Sequence, residues 1–131
     1  SGSVVVKDKR ILTTGYVGAP IGLSHCDDAG HQLKKVTHED GVESIHCLRT
    51  VHAELNAILQ AAKFGISLEG ATIYSKMEPC ATCAMAIINS GIKRVVCELQ
   101  YHASKDTREL FRQAGVELVV TNNKVEEYEK Q

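Results

Sequence analysis

From Thr50 onward the chain alternates between two hydrophobic rhythms. Apolar positions recur with helical spacing over about 52 to 64, after Pro79 until Gly91, and along "SKDTRELFRQAG", with Ser104 or Asp106 as cap and Gly115 as stop. Between these stretches "ATIYSKM", "KRVVCEL" and "VELVV" are rich in β-branched residues and read as strands. Upstream, "SVVVKDKRILTTGY" places two β-rich runs around a Lys-Asp-Lys-Arg turn, the pattern of a hairpin. Helices alternating with strands predict an α/β protein, a three-layer α/β/α sandwich with a mixed five-stranded sheet and right-handed crossovers. The Gly-containing stretch "VGAPIGLSHCDDAG" and the charged "HQLKKVTHEDGVESIHCLRT" lack periodicity and predict a long connection without a core element. Connections of that length are commonly functional or tied down by a metal. The tail "NNKVEEYEK" reads as a frayed helix.

Composition narrows the partners. The 131 residues are 44% hydrophobic and 24% charged, as expected of one domain covering 1–131. Fifteen Lys+Arg against 16 Asp+Glu leave a formal net charge of −1, too little field for a polyanion, and two Phe, four Tyr and no Trp give few platforms for stacking a strand. A small molecule is the expected partner, not a polynucleotide. Five cysteines, an odd number with no secretory segment ahead of them, suit a reducing, cytoplasmic setting. No apolar run approaches the length of a membrane span.

The chemistry concentrates in two short stretches. In "VHAELNAIL" His52 and Glu54 stand two apart, a spacing that sends side chains to different sides of a regular helix, so neither a salt bridge nor a shared apolar face explains the pair. In "EPCATCAMAIINSG" Cys80 and Cys83 are one helical turn apart with Pro79 placed to begin the helix, so both sulfurs face one point. Two thiolates at a helix N-terminus and an imidazole form a ligand set that zinc prefers. Three protein ligands leave the fourth tetrahedral position open, the mark of a catalytic site. Glu54 then becomes a general base and acid beside the metal, not a ligand. A plainer reading makes Cys80 and Cys83 half of a structural zinc ribbon completed by Cys47 and Cys26, but it leaves Glu54 without a role. Cys97, in an apolar run, reads as a core residue.

His-x-Glu followed by Pro-Cys-x-x-Cys is the signature of zinc-dependent deaminases. With "GYVGAPIGLSHC", "HCLRTVHAELNAILQAAKFG" and "PCATCAMAIINSGIKRVV", the chain from about residue 4 to 120 resembles the deoxycytidylate (dCMP) deaminase family of the cytidine deaminase superfamily. The resemblance implies the cytidine deaminase-like form of the sandwich and hydrolysis of dCMP to dUMP and ammonia, a route toward thymidylate. It also implies Zn2+ on His52, Cys80 and Cys83, with Glu54 shuttling the proton. The backbone at Ala53 would hold the pyrimidine edge, and Tyr101, near the pocket mouth, would contact the nucleotide. A homohexamer regulated by dCTP and dTTP is implied too, with Gly18, Ala19 and Pro20 in the effector region and Mg2+ accompanying the effector.

Two departures from the family stand out. Its loop reads Gly-Tyr-Asn-Gly, and Val17 here replaces the Asn that helps hold the substrate. Relatives also carry an N-terminal helix before the first strand, and some hold a second, structural zinc, for which His25, Cys26, His31, His46 and Cys47 are available here. Within the enzyme class the rival substrates are cytidine, guanine, a riboflavin precursor or a tRNA adenosine. Outside it, the rival is a non-catalytic, zinc-stabilised nucleotide-binding module.

Overall fold

The computed structural model describes residues 1–23, 33–37, 43–47, 50–101, 104–122 and 125–126, the short stretches 33–37, 43–47 and 125–126 by their backbone. The N-terminal hairpin is as expected: β1 (Gly2–Lys7) and β2 (Arg10–Tyr16) pair antiparallel around Asp8 and Lys9. Both turn residues have positive φ, 51° and 63°, the mirror-image turn whose twist matches that of the flanking strands.

Two further strands, β3 (Leu33–Thr37) and β4 (Glu43–Cys47), form a separate antiparallel sheet. The connection expected to lack regular structure therefore contains a hairpin. Its sequence carries Asp40-Gly41 between the two strands, a turn pair whose signal the surrounding charges obscured.

After β4 come α1 (Ala53–Phe64), β5 (Thr72–Met77), α2 (Ala81–Asn89), β6 (Arg94–Tyr101), α3 (Lys105–Ala114), β7 (Glu117–Val120) and β8 (Val125–Glu126). The main sheet runs β2-β1-β5-β6-β7, with β1 antiparallel to its neighbours and β5, β6 and β7 parallel. The α/β class and the mixed five-stranded sheet are as read from the sequence. The tail is not: Val125 and Glu126 are a strand pairing parallel to Gln100 and Tyr101, so a helix is ruled out at these two residues.

Cross-strand register separates the two faces of the sheet. Thr13, Val5, Ile73, Val95 and Leu118 lie in one row, and this row faces the helices. Val5, Ile73 and Val95 are fully buried there with Ala57 and Ala61 of α1, Ala84 and Ile87 of α2 and Phe111 of α3. One core thus holds all three described helices on one face, one helical layer of the sandwich. The next row, Thr14, Val4, Tyr74, Val96 and Val119, points to the other face.

The helix stops follow the sequence. Gly65 and Gly115 close α1 and α3 in the left-handed conformation, φ 69° and 75°. Gly15 does something different, because a Cβ built there would stand 2.2 Å from the Ala53 carbonyl oxygen and 2.5 Å from the Ala57 nitrogen. Only a residue without a side chain lets the start of α1 lie directly on β2.

Candidate metal centre

The helix starts bring the two motifs together. His52 is not in the first turn of α1, as the sequence suggests, but caps it, with ψ 151°. That extended residue breaks the 100° rotation between successive positions, so the helical rule never applied to His52 and Glu54. Cys80 likewise caps α2, with ψ 166°, and Pro79 precedes the cap instead of opening the helix. Cys83 is then the third residue of α2, and cap and third residue are the spacing at which a cap side chain meets the backbone N–H groups of the first turn.

The His52 Nδ1 lies 3.7 Å from Cys80 Sγ and 3.4 Å from Cys83 Sγ, and the three donor atoms lie within 4.8 Å of one another. Tetrahedral zinc with bonds of about 2.0–2.3 Å spaces its ligands about 3.3–3.8 Å apart, so this set fits a zinc ion. Among the described residues it is the one group of three or more His, Cys, Asp or Glu side chains that could hold a metal.

Without an ion the three donors share protons unequally, and Cys80 alone is shifted toward the deprotonated form that ligates a metal. A hydrogen bond with Cys83, reinforced by His52 and the Cys83 backbone N–H, pulls the Cys80 thiol down to about 4, and the Cys83 thiol moves the other way because it shares its proton with Cys80. His52 is raised, chiefly by its hydrogen bond to Cys80. Glu54, in the first turn of α1 and 6% exposed, is raised by burial and lies close enough to interact with Cys83. A buried carboxyl held toward its protonated form beside a cation site is suited to taking up and giving back a proton.

Each arm of the site has its own support. On the histidine side Gly18 and Val51 exchange backbone hydrogen bonds of 3.3 and 2.8 Å, and Asn56 Nδ2 donates to the Tyr16 carbonyl at 2.7 Å. On the cysteine side Glu78, fully buried, accepts two hydrogen bonds from Arg108, and the Thr107 hydroxyl donates to the Pro79 carbonyl at 2.9 Å. Sequence reasoning missed Glu78, Thr107 and Arg108. Their signal was a carboxylate directly ahead of Pro-Cys and a charge on the stripe Ser104, Thr107, Arg108 and Phe111, whose other three members are buried.

Of the remaining expected site residues, Ala53 is buried at the start of α1. Tyr101 is 2% exposed and clusters with Met77 and Leu99. Its backbone N–H donates to Glu78 Oε1 at 3.2 Å, so it belongs to the support of the cysteine arm. His25, Cys26 and His31 lie outside the described residues, and of His46 and Cys47 only the backbone, in β4, is described. Val17 sits in the loop after β2 with its N–H on the Ser1 carbonyl.

A half-buried His/Cys/Cys set with a buried glutamate beside it, at two helix starts on one face of a mixed sheet, is a candidate zinc centre. The chain belongs to the cytidine and deoxycytidylate deaminase family, whose zinc-binding region matches residues 1–99. It is 35% identical to the deoxycytidylate deaminase of Enterobacteria phage T2, over 89% of this chain and 78% of that protein. It is 43% identical to ComE operon protein 2 of Bacillus subtilis (strain 168) over 88% of this chain, and it spans 56% of that relative's length. The dCMP deaminase of cyanophage S-TIM5, solved in complex with dCMP and dUMP, superposes with a TM-score of 0.66 at 29% identity, covering 97% of this chain and 79% of that one.

Proposed function

We propose that residues 1–131 form a single zinc-dependent deaminase domain that hydrolyses dCMP to dUMP and ammonia. The observation that carries this reading is the buried Glu54 beside the converging His52, Cys80 and Cys83. A purely structural zinc site has no use for that carboxylate. The similarity to deoxycytidylate deaminases supports the choice of substrate.

His52, Cys80 and Cys83 would hold the ion, which when bound acidifies a water and so supplies a nucleophile at neutral pH. Glu54 takes up the proton released when the water's oxygen adds to C4 of the cytosine ring and delivers it to N3. As the C4–N bond breaks and the C4 carbonyl forms, Glu54 takes the remaining proton from the C4 hydroxyl and gives it to the departing amine, so one water enters and one ammonia leaves. Burial raises the carboxyl above the usual carboxylate range and so makes it readier to take up a proton. In this reading the backbone of Ala53, a buried residue at the start of α1, meets the pyrimidine edge.

The same reading includes a homohexamer in the cytoplasm, regulated by dCTP and dTTP. A cavity of about 540 Å³ lined by Tyr16, Ala19, Pro20, Asn56, Gln60 and Lys63 has room for such an effector with its Mg2+. A second zinc on residues drawn from His25, Cys26, His31, His46 and Cys47 completes it. No described helix is long and apolar enough to cross a membrane. The test is to incubate the zinc-loaded protein with dCMP, CMP and deoxycytidine and follow loss of the cytosine absorbance. Turnover of dCMP alone is expected. Turnover of another substrate moves the assignment within the family, and silence on all three with zinc bound favours a non-catalytic nucleotide-binding module.

A further inference from the structure

Cys80 is preceded by two residues that are fastened not by its own helix but by β6 and α3. Glu78 is fully buried, and its backbone N–H donates to the Leu99 carbonyl at 3.0 Å. Arg108 Nε donates to Glu78 Oε2 at 2.9 Å and Arg108 Nη2 to Oε1 at 2.7 Å, while the Tyr101 N–H reaches Oε1 as well. Thr107, also fully buried, holds the Pro79 carbonyl. The first turns of α3 thus grip residues 78 and 79 in succession, and Cys80 follows at once.

The Glu78 carboxylate is buried and costs free energy to desolvate, while Arg108 is half exposed, so the pair is a poor device for stability alone. It is a good device for fixing a position, because the guanidinium fork meets both carboxylate oxygens in one geometry that an ammonium cannot reproduce. Metal ligation needs that fixity, since ligand distances must be right to within about 0.2 Å. We infer that Arg108, outside both ligand motifs, is a positioning residue for the metal: its grip on Glu78, seconded by Thr107 on Pro79, sets where Cys80 ligates. This inference rests on the reading of His52, Cys80 and Cys83 as zinc ligands and is independent of which substrate is turned over.

The test compares Arg108→Ala, Arg108→Lys and Thr107→Val with Arg112→Ala, whose side chain pairs on the surface with Glu109 one turn further along α3. Zinc release from the loaded protein to a colorimetric chelator is timed, and the visible spectrum of the cobalt(II)-substituted protein is recorded. Arg108→Ala is expected to release zinc about tenfold to a hundredfold faster and to shift the cobalt bands. Arg108→Lys falls between Arg108→Ala and the parent, Thr107→Val moves the same way to a smaller extent, and Arg112→Ala stays at the parent rate. In the deamination assay kcat falls in Arg108→Ala while KM holds. Release at the parent rate with an unchanged cobalt spectrum, whatever happens to Tm, overturns the proposal. If Arg108→Ala does not fold, Thr107→Val decides it by the same criteria. A parent protein that binds zinc but deaminates nothing removes the proposed activity and leaves this inference to the release rates. A parent that binds no zinc removes both.

Discussion

His52 and Cys80 occupy the same local position, an extended residue immediately ahead of a helix, yet they are secured by opposite means. The histidine arm is held by backbone against backbone: Gly15 lies under Ala53 and Ala57, and Gly18 pairs with Val51. The cysteine arm is held by side chains, above all the Glu78–Arg108 pair. The first fastening depends on the absence of volume and the second on the presence of charge. Each should therefore fail in response to a different kind of substitution.

Glu54→Gln leaves both fastenings intact and removes only the proposed proton carrier. Loss of a general acid–base group costs on the order of 100- to 10,000-fold in rate, so kcat should fall by at least that much while zinc content and Tm hold. Zinc analysis and turnover on the same sample check this. A variant retaining a tenth of the parent rate would show that the proton moves through another group.

Gly15→Ala attacks the backbone fastening. The new Cβ would stand 2.2 Å from one backbone atom and 2.5 Å from another, and neither can swing aside as a side-chain tip could. The helix start must shift, at a cost of roughly 1–3 kcal/mol or more, read by urea denaturation of the metal-free protein. Because the shift carries His52 with it, metal affinity should fall as well. A fully stable Gly15→Ala protein would mean that α1 does not sit on β2 as described.

The two fastenings also differ in how far they could be read from the sequence. Period-two and helical rhythms marked β1, β2, α1, β5, α2, β6, α3 and β7, and the four motif residues marked the candidate site, because those signals are local. Contact between Glu78 and Arg108, 30 residues apart, depends on β6 and α3 bringing them together. Rhythm also cannot say whether a residue before a helix is inside or outside it, and this is why the spacing of His52 and Glu54 looked anomalous. The β3–β4 hairpin and the β8 strand escaped for a related reason: charged residues dominate both stretches, and backbone pairing leaves little trace in a hydrophobic pattern.

Cys97 reports on the ground behind both arms. It is buried on the helix-facing side of β6, and burial, then the Glu78 charge, pushes its thiol up to about 12 from an ordinary value of 9.0. The unfolded chain loses this proton near pH 9 and the folded chain near 12, so stability falls as pH rises from 9 toward 12 and levels beyond. At about 1.4 kcal/mol per unit, the penalty at pH 10 is about 1.4 kcal/mol. Cys97→Ala should flatten that decline in denaturation curves taken from pH 8 to 10.5. An undiminished slope would assign the alkaline loss to other groups.

Asn56 is the polar exception on the histidine arm and makes the most delicate test of the contrast. Its Nδ2 donates to the Tyr16 carbonyl at 2.7 Å, with a longer contact of 3.4 Å to Val51, and the Tyr16 bond is solvent-exposed. If backbone contact does most of the fastening, Asn56→Leu should cost only about 1 kcal/mol, because water can take over the abandoned carbonyl. Zinc release should then change far less than in Arg108→Ala. A loss comparable to that of breaking the half-exposed Glu78–Arg108 pair would show that this arm too hangs on a side chain. The two halves of the site would then differ in chemistry but not in principle.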